Sequence, residues 1–153
     1  HSDSVQNAKD HLRDIAGIRV ICYFIDDIYN LVNALKRQSE LIFIREKDYI
    51  QNPKPNGYRS FHVIIAVPVY YLDTMEYFPV EIQLRTMTMD LWASMEHRVC
   101  YKKLPEHRDE LAEAFCQYAD ILGKIEEQFE AYNETGMLEE ITPAQITENP
   151  TEG

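Results

Sequence analysis

The chain has 153 residues, 45% of them hydrophobic, and a formal net charge of −11. That length suffices for one domain with a core of its own, and no apolar run of about 18 residues is present to cross a membrane as a helix. Residues 1–103 carry 13 acidic and 13 basic side chains while residues 104–153 carry 13 acidic and 2 basic, so nucleic acid, whose binding rests on neutralising phosphates, is disfavoured as a partner.

The expected order of elements begins with a helix, followed by a strand over Ile18–Ile25. That segment reads Ile-Arg-Val-Ile-Cys-Tyr-Phe-Ile, a nearly continuous apolar run expected to form a buried central strand. Asp26 and Asp27 can cap the next helix. Ile28, Leu31, Val32 and Leu35 then repeat at i, i+3, i+4 and i+7, one apolar helical stripe. A short strand is expected at Leu41–Ile44. Asn52-Pro53-Lys54-Pro55-Asn56-Gly57 is a loop, because two prolines and an Asn-Gly pair exclude regular structure.

Val63–Val69 reads as a strand, Tyr70–Glu76 as a turn region, and Tyr77–Arg85 as a strand of clean alternation. In it Val80, Ile82 and Leu84 face one way and Glu81, Gln83 and Arg85 the other. Two helices follow. One spans about Met87–Tyr101 with Trp92, Met95 and Val99 on one face. The second starts near Pro105, a favoured first-turn residue, and stops near Gly136. Leu111, Phe115, Tyr118, Leu122, Ile125 and Phe129 form its apolar stripe, suited to covering the sheet or pairing with another subunit. The terminal helices have no strand between them. This predicts an α+β fold, a single mixed sheet flanked by helices, rather than a doubly wound parallel one. One domain is expected over residues 1–136, with 137–153 a flexible tail.

Cys22, Cys100 and Cys116 are odd in number and lack metal-ligand spacing; a reducing, cytoplasmic setting is the default. No secretory leader is evident at the start.

Candidate chemistry gathers in a few segments. Glu81, Gln83 and Arg85 place a carboxylate, an amide and a guanidinium on one strand face, suited to a metal–phosphate site or simply to solvent. Glu96 and His97 on the following helix could line the same cleft. Asp14, at the mouth of the first strand, either shares a metal with a carboxylate of a neighbouring strand or caps a turn. Arg45 and Lys47, with Lys54 and Arg59, form either a phosphate cradle or a solvated patch. Tyr58, after a glycine, can stack on a base or pack. His62 can contact a phosphate or serve as a structural hydrogen-bonder.

Four segments in order give these residues a context. Asp14-Ile15-Ala16-Gly17-Ile18-Arg19, then Lys47-Asp48-Tyr49-Ile50 with Asn52–His62, then Glu81-Ile82-Gln83-Leu84-Arg85-Thr86, then Met89-Asp90-Leu91-Trp92-Ala93 with Glu96-His97 resemble the synthetase domain of the RelA/SpoT family. The likeness covers roughly Arg13–Lys102. It implies a nucleotidyltransferase-like fold and transfer of pyrophosphate from ATP to the 3′-hydroxyl of GDP or GTP, yielding (p)ppGpp and AMP. It implies that Asp14 and Glu81 hold Mg²⁺ and that Glu81 helps deprotonate the 3′-hydroxyl. Tyr58 matches the tyrosine that stacks on guanine, with Lys54, Asn56, His62 and Gln83 around the acceptor. Arg19, Arg45, Lys47, Arg59 and Arg85 are expected to bind phosphate. Arg45-Glu46-Lys47-Asp48 matches the basic form of a family motif.

Two departures shape the expectation. The family's basic segment ahead of the first aspartate, which helps hold ATP, has no counterpart here; the chain is therefore read as truncated at its N-terminus. The hydrolase motifs are also missing, which predicts synthesis without hydrolysis. A homo-oligomer, possible as the tetramer of small family members, is expected through the helices. Two other readings stay open: a guanine-nucleotide-binding or assembly module without the ATP half of the site, and pyrophosphate transfer to another 3′-hydroxyl such as a tRNA end.

Overall fold

The computed structural model of the chain describes residues 16–100 and 108–135. The expected first helix, Asp14, the helix start near Pro105, the stop at Gly136 and the tail lie outside the described residues. The elements in order are β1 (Ala16–Cys22), α1 (Ile25–Lys36), β2 (Ile42–Asp48), β3 (Phe61–Tyr71), β4 (Thr74–Thr86), α2 (Met87–Cys100) and α3 (Arg108–Thr135).

The four strands form one sheet in the order β1-β4-β3-β2. β1 runs parallel to β4, while β3 is antiparallel to both β2 and β4. The sheet is therefore mixed, as the element order predicted. α1 begins after Phe24, whose backbone N–H donates to Asp27 Oδ2 at 3.1 Å, so the second of the two expected capping aspartates reaches back from the first turn.

One face of the sheet is apolar. Phe61, Val63 and Ile65 of β3 and Ile82 and Leu84 of β4 pack against Ile28 and Val32 of α1. Leu84, Val63 and Ile28 are fully buried. The period-two alternation of β4 has the consequence read from sequence: its odd-numbered residues from Glu81 to Arg85 lie on the face opposite that core.

β1 departs from expectation. Among the described residues it is an edge strand, paired with β4 alone, and Ile18 and Ile21 are 51% and 44% exposed. Of the run, Val20 and Cys22 of β1 pack against the core, as does Ile25 at the start of α1. A continuous apolar run fixes a strand but not its neighbours, and here one β1 face lies over the α1 core while the other belongs to the polar face. The β3–β4 hairpin is also longer than expected, since pairing continues to Tyr71↔Thr74 through residues assigned to a turn. α2 follows β4 without a linker, and a second apolar cluster of Trp92, Phe115 and Ala119 joins α2 to α3, with Tyr58 packed against it.

Candidate functional site

Register carries the site across strands. Glu81 and Gln83 of β4 lie beside Gly17 and Arg19 of β1 and opposite Ile64 and His62 of β3. Lys47 and Arg45 of β2 pair in turn with His62 and Ile64. The open face thus gathers Arg19, Arg45, Lys47, His62, Glu81, Gln83 and Arg85 from all four strands. Two hollows lie on it. A cleft of about 590 Å³ is lined by Arg19, Tyr58, Arg85, Glu96 and His97, among others. A smaller one of about 160 Å³ is lined by Arg45, Lys47, His62, Ile64 and Glu81, with Glu46.

The loop before β3 delivers Tyr58. Gly57 has φ +93°, a conformation glycine adopts without penalty. Its N–H donates to Lys54 O at 2.9 Å, and Lys54 N–H donates to Tyr58 O at 3.1 Å. Asn56 Oδ1 accepts from Tyr58 N–H at 3.1 Å, a side-chain turn of the kind asparagine favours. Asp48 holds the preceding turn: its carboxylate accepts from Ile50 N–H, Gln51 N–H and the Tyr29 hydroxyl. That carboxylate pushes the Tyr29 hydroxyl, already raised by burial, up to about 12.

Tyr58 is the hub of a polar chain. Arg85 Nη2 donates to its hydroxyl oxygen at 3.0 Å, and the hydroxyl lies 2.9 Å from His62 Nε2. A guanidinium can only donate, so the hydroxyl proton is free to go to His62 Nε2. His62 is held well below its ordinary value, at about 4, by burial first and then by Arg85, Lys54 and Lys47. The neutral ring then carries its proton on Nδ1, which faces Glu81 Oε1 at 3.5 Å. The Tyr58 ring has Lys54 Nζ 4.9 Å and Arg85 Cζ 5.4 Å from its centroid, with edge contacts to Tyr49, His62 and Trp92.

Glu81, with its side chain 27% exposed, offers a hard oxygen donor of the kind Mg²⁺ takes beside substrate phosphates and waters. Among the described residues no group of three or more His, Cys, Asp or Glu gathers there.

Arg59 is placed elsewhere. Expected among the phosphate binders, it turns to α3 and pairs with Asp120 Oδ1 at 3.0 Å. Two carboxylates escaped the sequence reading as site components. Asp90 of α2 accepts from Arg85 Nη1 at 3.0 Å and lies 3.5 Å from Arg19 Nη1. Its signal was available: an acid in the first turn of a helix that starts directly after the arginine's strand. Glu126 of α3 is 4% exposed and accepts from the Thr86 and Thr88 hydroxyls; no local pattern marks a contact between residues 40 positions apart.

A family model for the region found in RelA / SpoT proteins matches residues 2–106. The GTP pyrophosphokinase YwaC of Bacillus subtilis (strain 168) is 46% identical over 125 residues, covering 82% of this chain and 60% of that protein. The chain thus spans less than two thirds of that relative's length. The crystal structure of small alarmone synthetase 2 from Bacillus subtilis matches with a TM-score of 0.75 and 42% identity, covering 88% of this chain and 76% of that one. Small alarmone synthetase 1 from Bacillus subtilis, bound to its product pppGpp, matches with a TM-score of 0.73 and 28% identity, over 86% and 67% of the two chains. The mixed-sheet α+β architecture is nucleotidyltransferase-like, as these neighbours' folds are.

Proposed function

This chain belongs to the RelA/SpoT family, and we propose that it transfers pyrophosphate from ATP to the 3′-hydroxyl of GDP or GTP, giving (p)ppGpp and AMP. The observation that carries the reading is the convergence of His62, Glu81, Gln83 and Arg85 with Arg19, Arg45 and Lys47 on one sheet face, beside an aromatic ring on a glycine-hinged loop.

The products define the bonds. The 3′-oxygen bonds to the β-phosphorus of ATP, the bond from that phosphorus to the bridging oxygen breaks, and AMP leaves. Such a displacement needs in-line placement and charge neutralisation more than a strong base. In the proposed arrangement guanine stacks on Tyr58, displacing one of the two cations that flank the ring and releasing it toward phosphate. Lys54, Asn56 and Gln83 hold the acceptor. Neutral His62 orients the Glu81 carboxylate, which takes the 3′-hydroxyl proton. Arg45, Lys47, Arg19 and Arg85 absorb phosphate charge. Mg²⁺ held by Glu81 and Asp14 would polarise phosphate oxygens and ease ionisation of the hydroxyl.

The proposal extends to one synthetase unit over residues 1–136, to a cytoplasmic setting and to a homo-oligomer. No helix among the described residues is long and apolar enough to cross a membrane.

The test is AMP release from ATP with Mg²⁺ and GDP or GTP, beside Glu81→Gln. Acceptor-dependent AMP is expected, with a loss in the mutant of about 10²–10⁴-fold, the range of a general base. GDP binding that Tyr58→Ala abolishes, with no AMP released, would reduce the chain to an acceptor-binding module.

A further inference from the structure

We infer that Arg59 is a positioning residue: one face of α3, formed by Asp120, Gly123 and Glu126, holds its guanidinium and thereby sets the loop that presents Tyr58. The inference rests on the proposed function and adds a device that acts on the acceptor site from behind.

Asp120, Gly123 and Glu126 follow at i, i+3 and i+6, so they share one side of the helix. Arg59 Nη2 donates to Asp120 Oδ1 at 3.0 Å. The guanidinium lies in the notch left by Gly123, where an added Cβ would stand 2.5 Å from Arg59 Nη1. Glu126 lies one turn further on. Its Oε1 and the Arg59 Nε are both buried without a partner among the described residues. Both residues line one cavity of about 40 Å³, which has room for a bridging water.

A second contact lies two residues earlier in the loop. A Cβ on Gly57 would stand 3.0 Å from Ala119 Cβ and 3.1 Å from Cys116 Cα. The loop therefore meets α3 on both sides of Tyr58, whose ring packs against the Trp92, Phe115 and Ala119 cluster while its hydroxyl reaches His62 and Arg85. In these contacts α3 meets the loop, through the Arg59 guanidinium and at Gly57, rather than the strand residues of the polar face. Because Asp120 is 64% exposed, its ion pair adds little to stability. Its effect belongs to placement, where a displacement of about 1 Å matters greatly.

The test uses the whole chain and two readouts: GDP affinity by calorimetry, and amide hydrogen exchange at Gly57 and Tyr58. Arg59→Gln and Asp120→Asn are expected to weaken GDP binding about tenfold and to speed exchange at both amides, with Tm little changed. Gly123→Ala separates placement from packing. Alanine raises helix propensity, so a purely structural glycine would leave GDP affinity intact while Tm rises. Filling the notch is expected to weaken GDP binding despite that gain. Unchanged affinity and unchanged exchange in all three variants would overturn the inference. If the unaltered chain binds no GDP, the proposed function falls instead. The exchange readout still decides the pin, since faster exchange in Arg59→Gln supports it and equal exchange removes it.

Discussion

Arg85 shows how one side chain holds the site in register. Its side chain is 8% exposed, and a guanidinium so placed needs partners to offset lost hydration. It has Asp90 Oδ1 at 3.0 Å, the Tyr58 hydroxyl at 3.0 Å and Gln83 Oε1 at 3.3 Å. Asp90→Asn removes the one negative charge among them. The expected cost is about 2 kcal/mol, the scale of a hydrogen bond to a charged group, read as a lower urea midpoint with an unchanged slope. A midpoint equal to that of the unaltered chain would mean that Arg85 is neutralised elsewhere. At this scale the sequence was informative where a period exposes a face. Glu81, Gln83 and Arg85 were legible because alternate residues of a strand share a side. Asp90 and Glu126 were not, because nothing in local spacing says which distant helix turn meets a strand end. Arg59 sits apart from the polar face because its guanidinium turns to Asp120 while the Tyr58 hydroxyl beside it reaches His62 and Arg85.

Elements followed the same rule, with patterns fixing type and tertiary contacts fixing neighbours. α1 was legible from its stripe, and its buried Ile28 and Val32 are stripe residues. β1 was legible as a strand but not as an edge, since strand order depends on pairings formed across the chain. The α3 stripe divides: Phe115 is buried, while Tyr118, Ile125 and Phe129 are 51%, 40% and 61% exposed. The hairpin between β3 and β4 was the element most misjudged. Its turn needs only Leu72 and Asp73, and Leu72 takes φ +50°. A side chain bearing Cβ is disfavoured there by about 1–2 kcal/mol. Leu72→Gly is therefore expected to raise stability by about 1 kcal/mol despite the greater freedom of unfolded glycine. Thermal unfolding would show a higher Tm. A lower one would mean that the Leu72 side chain, 86% exposed, makes contacts that outweigh its strain.

At the level of the whole molecule, two properties of α3 pull against each other. With α2 it borders an apolar groove of about 580 Å³ that includes Met95, Val99, Leu111, Phe115, Tyr118 and Ile121, and Ile121 is 53% exposed. Apolar surface of this kind on a helix pair suits association, in line with the proposed homo-oligomer. Yet the helix also carries Asp109, Glu110, Glu113, Asp120, Glu126, Glu127, Glu130 and Glu134 against Arg108 and Lys124. Copies meeting through this face bring like charges together, a repulsion that salt screens once the Debye length falls below their separation. Assembly driven by the groove should therefore tighten as salt rises from about 0.05 to 0.5 M, opposite to the behaviour of an interface held by ion pairs. Light scattering across that range is expected to show mass growing with salt, and Ile121→Glu to hold the chain at lower mass throughout. A mass that falls with salt would place the contact on a charged surface instead. A monomer under every condition would remove the homo-oligomer from the proposal and leave the groove to another partner.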